Sequence, residues 1–129
     1  MKKHNLNLKS GQALVVLIVF VAIATIVVGS AVVVTIVNSR LASDVTQSAD
    51  ALAAAEAGAN EAILSLLRNP NYSGGTLAVG PDVATITISG APSKTIVSSA
   101  SVGGYVRKVE VLGTYSGNAF AISSWKEIN

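Results

Sequence analysis

Residues 9–20 read KSGQALVVLIVF: Lys9, two small residues in Ser10 and Gly11, the amide Gln12, and then nothing polar until Thr25. No charge occurs between Lys9 and Arg40. The 25 residues from 13 to 37 are interrupted only by Thr25, Gly29, Ser30 and Thr35. As a helix rising about 1.5 Å per residue, such a run is roughly 38 Å long, which exceeds the roughly 30 Å of a bilayer's hydrocarbon core. Sixteen of the 25 are Val, Ile or Thr, weak helix formers in water. In lipid, however, a lone segment satisfies its backbone only as a helix. The run predicts a membrane-spanning helix, and everything else in the chain is read around it.

Charge gives that helix a direction. Lys2, Lys3 and Lys9 precede it, whereas Arg40 and Asp44 offset one another just after it. The positive-inside rule then keeps the N-terminus in the cytoplasm and sends the remainder outward. The net charge of +2 depends on this leader: without its three lysines, six basic residues face seven acidic ones. A basic surface for nucleic acid is therefore not indicated. The mean hydropathy of +0.57 is too high for an ordinary soluble domain, and its excess lies in the one run.

The 92 residues from 38 to 129 leave room for one small domain. Residues 38–68 contain no proline, and Leu41, Val45, Ala49, Leu52, Ala55, Ala59, Ile63 and Leu66 fall at gaps of three and four. That spacing predicts an amphipathic helix continuing the first, from about 12 to about 68, on the order of 85 Å in all. It ends at RNPNYSGG (68–75), where Pro70 biases Asn69 out of helical geometry and the glycines form a connector over 69–75. Beyond it the period changes to two. DVATITIS (82–89), KTIVSSASV (94–102), YVRKVEVLGTY (105–115) and AFAISSWKEI (119–128) read as strands separated by turn sequences, with a short extra strand at 76–79. An antiparallel sheet within 76–129 has little core of its own, so one face is expected to pack on the helical stripe. The fold class is α+β: a long N-terminal helix on a small antiparallel sheet.

Candidate chemistry is sparse. The chain has no cysteine, and its one histidine, His4, lies in the leader, so neither a zinc site nor a Ser-His-Asp triad can be assembled. Glu56 and Glu61 are five apart, about 140° around a helix, and do not converge. Asp82 reads as a turn residue before it reads as a calcium ligand. Arg107 and Lys108 near aromatic residues read as strand-edge charges. Trp125 is expected to anchor the last strand on the helix. Gly58 weakens its helix by about 1 kcal/mol relative to Ala and is expected to mark close packing. Gly29 and Ser30 within the apolar run suit either a small-residue packing face or simple tolerance in lipid. Gly11 by itself suits a plain anchor boundary as well as a cleavage site.

The order of parts and two segments, SGQALVVLIVF (10–20) and ALAAAEAGANEAILSLL (51–67), resemble the type IV pilin superfamily, and specifically its PilX-type minor pilins and the pseudopilins. The second segment is similar to their AAEAG..EA motif through Ala55, Glu56, Ala57, Gly58 and Glu61. The resemblance implies a leader of residues 1–11 removed by a prepilin peptidase between Gly11 and Gln12, and an assembly half over 12–37. It further implies a structural role without cofactor or catalysis. The implied partners are other pilin subunits, the inner-membrane assembly platform and, before assembly, membrane lipid. It gives Gly29 and Ser30 a third reading, as the point where the helix stretches on assembly, and leaves methylation of the Gln12 amine open. Shaft-forming members usually carry Glu five residues after the cut; here Val16 stands there. That departure points to a tip or priming position. The competing readings are a shaft pilin that dispenses with the Glu and a single-pass surface protein that never polymerises.

Overall fold

A computed structural model describes residues 8–129, with side chains from Gly11 onward; most of the basic leader, including Lys2, Lys3 and His4, lies outside the described residues. One helix, α1 (Leu8–Arg68), is followed by five strands: β1 (Gly74–Val79), β2 (Asp82–Ser89), β3 (Ser93–Val102), β4 (Tyr105–Ser116) and β5 (Ala119–Ile128). The chain divides into two compact units, Met1–Ala42 and Ser43–Asn129.

In the first unit the apolar side chains of α1 are uncovered on every side, from Leu14 at 58% exposure to Val37 at 49%. The polar interruptions are absorbed within the helix. Thr25 Oγ1 donates to the Val21 carbonyl at 2.7 Å, Ser30 Oγ to Ile26 at 2.8 Å, and Thr35 Oγ1 to Ala31 at 2.9 Å. Each hydroxyl thus has a backbone acceptor and makes no demand on its surroundings. This helix is long and apolar enough to cross a membrane.

In the second unit the helical residues 43–68 pack on an antiparallel meander of order β1-β2-β3-β4-β5, so the α+β architecture holds. Opposed residues in such a sheet share a face. Ala84 and Ile86 of β2, Ile96, Ser98 and Ala100 of β3, and Val109 and Val111 of β4 turn toward the helix and are buried. Opposite them lie Ala51, Ala54, Ala55, Ala59, Ala62 and Leu66. The helical stripe is therefore narrower and smaller in side chain than the spacing alone suggested. Ala55, Ala59 and Leu66 are in it, and Leu52 and Ile63 pack at its margin. Leu41, Val45 and Ala49 are exposed. The physical reason is close approach, because helix and sheet meet where the side chains are smallest and the larger ones line the flanks.

Gly58 is the centre of that contact. A Cβ built there would overlap Ser98 Oγ and lie 2.9 Å from the Ala84 Cβ. The expected close packing is thus against β2 and β3. Ser98 Oγ is buried and has no hydrogen-bond partner.

The helix stops as its sequence dictates: Asn69 N donates to the Ser65 carbonyl, and Asn71 N to Asn69 Oδ1 at 3.0 Å. β1 begins at Gly74, so Gly74 and Gly75 pair with Thr87 and Ile86 and are more than connector. The extra strand exists and is longer than the expected 76–79 because β2 offers partners two residues earlier. The β3–β4 hairpin turns through Gly103 and Gly104, both at positive φ as a two-residue turn of this kind requires. The Gln47 side chain occupies the place that a Cβ on Gly103 would take. Between β4 and β5 the register slips at Leu112/Gly113, leaving Ser123 as an extra residue. Its Oγ donates to the Leu112 carbonyl at 3.1 Å.

Gly58→Ala is expected to destabilise the full chain in detergent by about 1–3 kcal/mol through overpacking, although Ala is the better helix former by about 1 kcal/mol. Ser98→Ala, which removes the overlap with Oγ and an unpaired buried hydroxyl but leaves the 2.9 Å approach to the Ala84 Cβ, should restore part of the loss in the double variant. Chemical unfolding followed by circular dichroism tests this, and a neutral or stabilising Gly58→Ala would contradict the packing described.

Candidate assembly surfaces

The residues singled out in the sequence fall on two different surfaces. Gly11, Gln12 and Val16 lie in exposed helical turns, Val16 at 63% exposure, with no atom within 4 Å of a Cβ built on Gly11. Gly29 and Ser30 lie further along the same apolar helix. Gly29 is equally open to added bulk, and it ends a shallow groove of about 480 Å³ lined by Phe20, Val21, Ala24, Thr25 and Val28. A second such groove of about 390 Å³ runs past Val28, Ala31 and Thr35. Neither contains a titratable group. Such a surface offers dispersion contacts and close backbone approach, which are the terms that associate helices in lipid.

The Ala55–Gly58 segment belongs to the other surface, inside the second unit. Ala55 and Gly58 are buried against the sheet, Ala57 is half-buried, and Glu56 is exposed. Half-buried Glu61 accepts a hydrogen bond from Ser65 Oγ at 3.1 Å. The segment therefore seats the helix on the sheet, and its two carboxylates do not form a shared site.

Beside that seat runs a groove of about 430 Å³, lined by Asp44, Val45, Ala49 and Leu52 of the helix and by Tyr105 and Arg107 of β4. Tyr105 and Asp44 face each other across this groove, and hydrogen bonding to the Asp44 carboxylate, with desolvation and the carboxylate's charge, raises the phenol above its ordinary value of 10.0. Arg107 Nε lies 2.8 Å from Glu127 Oε1 of β5. The Nε–H makes no hydrogen bond within angular limits, so the contact is an ion pair without directionality. On the other face of the sheet Lys126 Nζ meets Glu110 Oε1 at 2.9 Å, across directly paired positions.

Trp125 departs from expectation. It is 40% exposed and outside the buried cluster, whereas Phe120, whose ring lies over Gly113, packs against that cluster. Phe120 reaches inward over Gly113, which has no side chain, whereas Trp125 stands opposite Val111 on the edge strand, beyond the width that one helix covers. Pairings across the groove, such as Tyr105 with Asp44, were not visible in the sequence because they join residues about 60 positions apart. Among the described residues no group of three or more potential metal ligands comes together. No family model matches the chain, and no curated protein or solved structure is similar to it.

A raised phenol means that the fold favours protonated Tyr105. Its contribution to stability is complete below the unfolded value near 10 and is lost as pH climbs through the higher folded value. In a 295 nm alkaline titration of the full chain in detergent, one of the three tyrosines should ionise late. Asp44→Asn should move the Tyr105 step to lower pH, and Tyr105→Phe should remove it; a titration curve that Asp44→Asn leaves unchanged would refute the contact.

Proposed function

We propose that the chain is a structural minor pilin-like subunit, cut after Gly11 by a prepilin peptidase and assembled into, or priming, a type IV pilus or type II secretion-type filament. The observation that carries this is the uncovered apolar surface of α1 from Leu14 to Val37, on the same helix whose later Ala55–Gly58 segment seats a sheet. A lone membrane anchor needs only the first of these features. A filament subunit uses both: an apolar rod that exchanges lipid for neighbouring rods, and a folded head carried on the same helix. The motif residues Ala55, Glu56, Ala57, Gly58 and Glu61 add the resemblance described above.

The sequence of events follows from charge. The Lys-rich leader holds the helix at the cytoplasmic face, and the chain inserts once with its N-terminus inside. Cleavage between Gly11 and Gln12 removes that electrostatic anchor, after which no charged side chain resists lateral association or extraction before Arg40. The assembly platform of the inner membrane would draw the subunit into the filament, where helix packing replaces lipid. With Val16 the subunit lacks the carboxylate that neutralises a neighbour's amine, which favours a terminal place over a shaft place.

Intact-mass measurement and terminal peptide sequencing of the membrane- or filament-associated protein test the proposal. The expected mature chain begins at Gln12, and Gly11→Leu should retain the leader and abolish surface display. A native chain that keeps Lys2 and Lys3 would leave a single-pass anchored protein instead.

A further inference from the structure

The sheet is wider than the helix that covers it. Five strands at about 4.8 Å spacing span roughly 19 Å between outer axes, while a helix with its side chains is about 10–12 Å across. Gly58 rests on Ser98 of β3 and Ala84 of β2, which centres the helix over those strands. Full burial on the helix-facing side accordingly ends on β4 at Val109, Val111 and Gly113; on β5 Phe120, which reaches inward over Gly113, is half-buried against the core, and Ile122 and Trp125 stay open. β5 lies two to three strands from the helix axis, roughly 10–14 Å, close to the 8–10 Å at which two helices pack side by side.

The same face of β5 is apolar. Trp125 pairs with buried Val111 and Ile122 with buried Gly113, so both side chains turn to the helix side, at 40% and 49% exposure. They are three residues apart and would point to opposite faces of a regular strand. The extra residue Ser123 brings them onto one face, the re-aiming that a bulge performs. The charges on this side are Arg107 and Glu127, which pair with each other, Lys94 of β3 opposite Gly113 and Asp44 in the adjoining groove; two of each sign leave the surface without net charge.

We propose that this strip, with the adjoining groove along Val45, Ala49 and Leu52, seats the apolar helix of a second copy of the chain, laid beside the resident helix. The inference rests on the filament function proposed above and specifies its subunit contact. The occupant is chosen by chemistry. The strip is neutral and apolar, and residues 12–39 form the one long uncharged stretch of the chain, with its apolar side chains uncovered.

The chain lacks cysteine, so Ile122→Cys can carry a benzophenone maleimide at a unique position. Trp125→Cys serves as a second label site, and Val83→Cys, 52% exposed on the opposite face, as control. Isotopically heavy and light full-length chains are extracted separately, mixed in detergent, labelled and irradiated, and the adducts are mapped by mass spectrometry. The expected result is heavy–light adducts at 122 or 125 falling within residues 12–39, at least tenfold above those from 83. Adducts to lipid, to another protein, or within one chain only would overturn the proposal, as would equal yields from 83. Filaments whose subunits begin at Gln12 but give no such adducts reject the seat and spare the filament function. Heavy–light adducts in a chain that keeps its leader and forms no filament support the seat and reject that function.

Discussion

The fold depends on how closely a helix can lie on a sheet. At Gly58 the backbone of α1 meets the side chains of Ser98 and Ala84 with no space for a Cβ, and the alanines around it let the same approach extend over several turns. This contact brings the helix down onto β2 and β3, buries the branched residues of β3 and β4 beneath it, and leaves the larger helical residues at the margins. A small sheet has little apolar area to bury on its own. Its stability depends on this approach, because dispersion falls steeply with a gap of even half an ångström. The glycine that weakens the isolated helix is what permits the tertiary contact.

That arrangement also explains the division of labour along one continuous helix. Upstream, nothing among the described residues covers the helix, and its side chains suit lipid: branched, apolar, and with each hydroxyl tied to its own backbone. Downstream, bulk is avoided where the sheet lies. The change in composition from Val-rich to Ala-rich thus runs from a segment long and apolar enough to cross a membrane to a packed protein interface.

Much of this was legible in the sequence because it is local. The uncharged 25-residue run, the proline stop at Asn69-Pro70, the two-residue turns and the alternation of DVATITIS are all set by neighbours in the chain, and the strands fall where these features put them. Gly58 as a packing position was legible too, since a glycine inside a strong helix has few other uses. Non-local features were not legible. Hydrophobic spacing placed Leu41 and Val45 on the buried stripe, but which face is buried depends on the sheet's position, and the smallest residues won. Trp125 was expected to anchor β5, but the sheet outgrows its helix. The slip at Ser123, which inverts the facing of everything after it in β5, arises from pairing with β4 and has no signal in the strand's own residues. Of the candidate site residues, those in Ala55–Gly58 acquire a structural role from the fold, while Gly11, Gln12 and Val16 lie exposed and acquire none.

Val16 bears most directly on where such a subunit belongs. In a filament of closely packed apolar helices, a mature N-terminal amine at Gln12 would carry a charge into a region with no counter-charge of its own from Gln12 to Ser39. An unpaired buried charge costs several kcal/mol after relaxation, so each subunit needs a carboxylate from a neighbour. This chain cannot supply one at Val16 to the subunit it contacts. If identical copies were stacked indefinitely, every interface would carry the penalty, whereas one copy at a filament end, beside subunits that do carry the carboxylate, incurs it at most once. The second-copy contact proposed on β5 is then best served by a small terminal cluster, in which heads meet helices laterally, and not by a long homopolymer. On that proposal electrostatics would limit how many copies add along the axis, and the open residues Ile122 and Trp125 of β5 would govern how they sit side by side.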